Sequence, residues 1–158
     1  MVDDPASRSR PFVAAGALFW DDAGRVMLVR PTYKAGWDIP GGYVESPEVP
    51  RQTCAREIRE ELGLNVEPGS LLVADWAPSS DEGDKLLLVF DGGILSHERL
   101  AAIHLQADEI AEYAFRELAE ACELLVPRLA RRVAAAAQAR SERRTVYLEH
   151  GIPVGRPT

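Results

Sequence analysis

The stretch PGGYVESPEVPRQTCAREIREELGL, residues 40–64, limits the folds open to this chain more than any other segment. Proline at position 50 suits the first turn of a helix, and Gly63 sits where a left-handed residue ends one, so a helix is expected from Pro50 to Leu62. Counting about 100° per residue, Cys54, Ala55, Ile58 and Leu62 share one arc, while Glu57, Glu60 and Glu61 share the next. One side is built for a core. The other crowds carboxylates at helical spacings of three and four, where like charges repel by roughly 0.2–0.5 kcal/mol per pair. Such a helix needs an apolar layer beneath it and positive charge beside it.

The flanking sequence supplies the layer. FVAAGALFW, from Phe12 to Trp20, runs into the turn DDAGR and resumes as VMLV at Val26, the pattern of a hairpin. Residues 30–43 hold two prolines and three of the chain's glycines and read as a loop that brings backbone close to something. LLVADWA from Leu71 and KLLLVFDG from Lys85 read as two more strands around the acidic tip PSSDEGD. AAIHLQ and EYAFRE read as short strand or edge segments. Residues 118–143 read as helix, interrupted or restarted at Pro127, and residues 146–148 as a last strand. Alternating α and β signals with antiparallel neighbours point to a mixed, α+β or α/β, single domain. We expect a flexible tail over residues 1–11, a domain over 12–143 and an extension over 144–158. That extension either packs on the domain or exchanges with a second copy, which leaves a homodimer open.

Bulk properties narrow the partners. With 158 residues, 46% of them hydrophobic, one core is affordable, and a net charge of −7 argues against a long nucleic acid as partner. No run approaches the roughly 18 apolar residues of a membrane helix, and the polar start lacks an apolar signal segment, so a cytoplasmic protein without membrane contact is expected. Cys54 and Cys122 are too few for a disulfide framework and are expected as buried thiols. The basic run over residues 128–144 reads as a solvated helix side, and the three histidines lack metal-ligand spacing.

The chemistry lies in the carboxylates. Oxygen ligands beside a glycine loop with exposed carbonyls select hard divalent ions, Mg²⁺ first and Mn²⁺ as a substitute, and the absence of His or Cys among them argues against zinc. Mg²⁺ commonly joins one or two protein carboxylates to substrate phosphates, so phosphoanhydride chemistry follows, with a carboxylate free to take a proton from water.

Gly42, five residues, Glu48, seven residues, then Arg56-Glu57-Ile58, Arg59, Glu60-Glu61, Leu62, Gly63-Leu64 resembles the Nudix box at all nine of its specified positions. The resemblance implies the Nudix fold, a mixed β-sheet between α-helices, covering roughly residues 12–140. It also implies hydrolysis of a nucleoside diphosphate linked to another moiety, with ADP-ribose-like compounds or nucleoside triphosphates slightly favoured. By the same resemblance Glu57 and Glu61 are the principal metal ligands, Glu60 shares a second ion or holds its waters, and the carbonyl of Gly41 or Gly42 completes the shell. Arg56 orients the glutamates, and Glu48 is its partner or an outer metal contact. A further acid outside the box is expected in DEIAEYAF, Glu109 first and Glu112 second, and Glu57, Glu60 and Glu109 all stand as candidate bases. Arg30, Lys34, Trp37 and Glu112 are candidate substrate contacts, although an aromatic in the position of Trp37 more often wedges the loop against the core. The alternative is a catalytically silent Nudix domain that binds a nucleotide as sensor or regulator.

Overall fold

A computed structural model describes residues 4–155, so the outermost parts of both expected tails, residues 1–3 and 156–158, lie outside the described residues. After a 3-10 turn at Pro5–Ser7 the elements are β1 (Phe12–Trp20), β2 (Val26–Pro31), β3 (Gly41–Tyr43), α1 (Pro50–Leu62), β4 (Leu71–Ala77), β5 (Lys85–Ile94), α2 (His97–Ala101), β6 (Ile110–Arg116), α3 (Leu118–Leu124), α4 (Pro127–Ser141), β7 (Val146–Glu149) and β8 (Ile152–Pro153). The strands form a mixed sheet in the order β6-β2-β1-β5-β4-β7-β8, with β3 paired to β1 off that path. No helix among the described residues is long and apolar enough to cross a membrane.

Alternation along the central strands divides the core. Leu18, Trp20, Val26 and Leu28 face one side with Leu129, Val133 and Ala136 of α4, while Ala15, Ala17, Phe19, Met27 and Val29 face the other with Cys54, Ile58 and Leu62 of α1. The sheet therefore lies between helices, as the motif resemblance implied. Cys54 is buried; Cys122 is only half-buried.

The feature that positions the site is the splay of β1 and β2. They meet at Trp20↔Val26, but the first half of β1 pairs instead with β3, Ala14↔Tyr43 and Gly16↔Gly41. The last three residues of the expected loop thus become sheet. The approach is close enough that a Cβ on Gly41 would lie 2.6 Å from Gly16 Cα, and one on Gly16 would lie 2.5 Å from the Pro40 carbonyl oxygen. Glycine is required at both places.

One expectation fails. AAIHLQ is not a strand: it is the end of α2 and a coil that closes over the C-terminus of α1. The His104 N–H donates to the Leu62 carbonyl (2.8 Å) and the Gln106 N–H to the Glu61 carbonyl (3.1 Å), satisfying helix-end acceptors that would otherwise lack partners. Ile103 and Leu105 turn toward the α1-side core, and this alternation imitates a strand. The C-terminal segment does pair, β7 lying parallel to β4 of the same chain from Val73↔Val146 to Trp76↔Glu149.

Candidate active site

Helix α1 is fixed at both ends. Pro50 opens it, the Gln52 side chain accepts from the Val49 N–H (3.1 Å), and Gly63 closes it at φ 69°. With Ile58 and Leu62 locked in the core, Glu57 and Glu61 are carried against β3. A Cβ on Gly42 would stand 2.3 Å from Glu57 Oε1, and the Gly41 N–H donates to Glu61 Oε2 (3.2 Å). The two glycines of β3 and the two glutamates of α1 are thus one construction.

Arg56 organises it. Its Nε donates to Glu48 Oε1 (2.6 Å) and its Nη2 to Glu48 Oε2 (3.1 Å), while Nη1 donates to Glu57 Oε1 (2.8 Å) and Glu60 Oε2 (3.1 Å). Nη2 also reaches the Tyr43 carbonyl (3.3 Å). Thr53 Oγ1 donates to the same Glu48 carboxylate (2.7 Å). These bonds, those from Arg56 above all, hold the Glu48 pKa down to about 2, and Glu48 in return raises that of Arg56. The glutamates nearer β3 shift the other way. Glu61, only 5% exposed, is pushed up to about 8 by burial and then by the neighbouring Glu57 charge, against the lowering effect of the Gly41 N–H. Glu57 is raised by burial, and the charges of Glu60 and Glu109 add to the rise while Arg56 opposes it.

Across Gly41 and Gly42 lies a cleft of about 340 Å³, between the sheet and the start of α4. Its lining includes Gly16, Leu87 and Val89 of the sheet, Leu129 of α4, the aromatic rings of Tyr33 and Tyr43, and four cations, Lys34, Lys85, Arg128 and Arg132. Of these only Lys34 stood out in the sequence. Lys34 pairs with Asp38, Lys85 pairs with Glu82, and each lysine also stands just under 6 Å from a tyrosine ring centre, Tyr33 and Tyr43 respectively.

The other residues singled out from sequence fall in different places. Glu109 is exposed, lies close enough to raise both Glu57 and Glu61, and its carbonyl accepts from the Thr32 N–H (2.8 Å). Arg30 and Glu112, paired across β2 and β6, bind each other (2.6 Å) and are not among the cleft-lining residues. Trp37 packs against the α4-side core. Arg132 was hidden in a run read as a solvated helix side. Its signal was positional, since it falls with Leu129, Val133 and Ala136 on the apolar stripe of α4.

No three His, Cys, Asp or Glu side chains among the described residues make a ready-formed metal cage, the carboxylates being held by Arg56 and by the Gly41 N–H. The donor chemistry nonetheless fits a hard cation. The charges of Glu57, Asp38 and Glu109 burden Glu61, those of Glu60 and Glu109 burden Glu57, and the space beside Glu57 is one that any side chain at position 42 would fill.

A family model described as NUDIX domain matches residues 10–137. The chain belongs to the NUDIX domain family. Among its curated NUDIX-type relatives, an ADP-ribose pyrophosphatase of Mycobacterium tuberculosis is 37% identical over 104 residues, covering 61% of this chain and 49% of that protein. A MutT-like protein of Streptomyces ambofaciens is 33% identical over 104 residues, covering 62% of this chain and 65% of that protein. The chain therefore spans about half the length of the first and under two thirds of the second. A solved MutT protein of Methanosarcina mazei Go1 superposes with a TM-score of 0.69 at 25% identity, covering 87% of this chain and 99% of that one.

Proposed function

We propose that this chain hydrolyses the diphosphate linkage of a small nucleotide derivative, water attacking phosphorus. The observation that carries the reading is the Arg56 fan, which gathers Glu48, Glu57 and Glu60 beside a buried Glu61, against the two glycines of β3 that also line a cleft holding four cations. The NUDIX match and the pyrophosphatase relative support it. Glu57, Glu60 and Glu61, with the carbonyl of Gly41 or Gly42 and with Glu48 further out, would hold Mg²⁺ or Mn²⁺. Bound there, the cation would neutralise the diphosphate and polarise phosphorus.

The chain's own groups do the rest. Arg56 holds Glu57 and Glu60 in orientation without touching substrate. Glu109 is our first choice for the group that takes the proton from water. Its carboxylate has no hydrogen bond or ion pair among the described residues, whereas Glu57 and Glu60 both accept from Arg56. Lys34, Lys85 and Arg128 line the cleft and would meet phosphate oxygens there. ADP-ribose-like compounds and nucleoside triphosphates are the proposed substrates, and the cytoplasm the proposed location.

The test is a panel of phosphoanhydrides incubated with Mg²⁺ and with chelator, scored by product identity, on the native chain and on Glu61→Gln. Cation-dependent release of a nucleoside monophosphate, lost by about a hundredfold or more in the variant, is expected. Binding without any product would replace this reading by the silent sensor.

A further inference from the structure

Asp75 stands in the middle of β4 and is 0% exposed. Its Oδ2 accepts from Arg132 Nε (2.7 Å) and its Oδ1 from the Gly151 N–H (2.9 Å) in the turn between β7 and β8. Arg132 is itself only 8% exposed. A buried pair of this kind is weak evidence for stability, because apolar residues of similar volume often do as well or better. Its geometry offers another reason for it. Among the described residues neither Nη of Arg132 has a hydrogen-bond partner, no buried side-chain nitrogen is left unsatisfied, and Arg132 lines the cleft. The outer edge of the guanidinium is therefore open to the cleft's occupant.

What that occupant offers follows from charge and shape. Asp75 already balances the arginine, so the fork has donors to spare without a charge to neutralise. The walls beside it, Gly16, Leu87, Val89 and Leu129, are apolar and suit a flat ring. We propose that Arg132 is a specificity-determining residue that reads the nucleobase, donating two parallel N–H bonds to a pair of adjacent acceptors. Guanine presents such a pair at O6 and N7, and cytosine at N3 and O2; adenine and uracil alternate donor and acceptor along the same edges. This rests on the reading of the site as a nucleotide hydrolase and selects among its substrates, against adenine in the cleft. The Asp75 bond to Gly151 makes the C-terminal hairpin, beyond the family-matched residues, a support of the fork.

The experiment is equilibrium dialysis of GMP, CMP, AMP and UMP in the presence of chelator, so that neither cation nor turnover enters. GMP or CMP binding about fivefold to a hundredfold more tightly than AMP and UMP is expected, the stronger of the two naming the base. If it is GMP, 7-deaza-GMP falls toward AMP. Arg132→Lys keeps a charge against Asp75 but has no planar fork, and brings the preferred nucleotide down to the level of AMP. The double variant Asp75→Leu, Arg132→Met leaves no buried charge and gives the same collapse should the lysine variant unfold. Equal binding of all four, tighter binding of AMP or UMP, no binding at all, or a preference that survives both variants overturns the proposal. Absent turnover with the base preference intact would sink the hydrolase reading instead.

Discussion

Arg56 and Arg132 are both half-hidden arginines bound to carboxylates, yet they do opposite work. Arg56 faces three glutamates, the farthest eight positions away in sequence, with its side chain 17% exposed. That assembly is short of positive charge, which the cation proposed for it would supply. Arg132 faces one aspartate 57 positions away, with side-chain exposures of 9% and 0%, and that assembly is balanced with donors left over. One arginine gathers several acids; the other is held by a single acid with its outer edge free.

The sharpest way to break the comparison is to remove one partner of each. Asp75→Ala strands a buried guanidinium, and a loss of about 3–5 kcal/mol in denaturant unfolding is expected. Arg56→Ala exposes its glutamates to water that already reaches them, so a clearly smaller loss is expected there. Equal losses would mean that the two pairs are not different in kind. Next in size is Glu48→Gln, which weakens the grip that orients Arg56. Turnover should fall about tenfold to a hundredfold while the fold stays intact, with a higher Mg²⁺ concentration needed for half activity. An unchanged Mg²⁺ requirement would detach Glu48 from the site.

The same contrast explains what could be read from the sequence. The acidic helix was legible because its caps, its apolar arc and its carboxylates all fall within residues 42–64, where local periodicity fixes relative position. The cleft was not, because Tyr33, Lys85 and Arg132 come from three separate elements brought together by the splay of β1 and β2. Arg30 and Lys34 looked alike in sequence. Strand register gave the first to Glu112 and the loop gave the second to the cleft. AAIHLQ misled because Ile103 and Leu105 alternate like a strand while the backbone serves helix α1.

The last expectation concerns Glu61 alone. Burial and the charge of Glu57 push its pKa up to about 8, against the ordinary glutamate value of 4.5 that the unfolded chain keeps. A carboxyl raised on folding favours the fold fully below pH 4.5, and that advantage is lost as pH rises through about 8. In chelator, Tm should therefore fall between pH 5 and pH 9 more steeply than in Glu61→Gln, which has no proton to lose. Glu61→Gln, expected to lose turnover, should thus be the more stable protein at pH 9. Mg²⁺ should reverse the loss, raising Tm more at pH 8 than at pH 6, because only the ionised carboxylate binds it. If native chain and variant lost Tm in parallel, Glu61 would be ionised throughout. The crowding on which the proposed cation site of α1 rests would then be relieved within the chain itself, and the difference drawn between Arg56 and Arg132 would disappear.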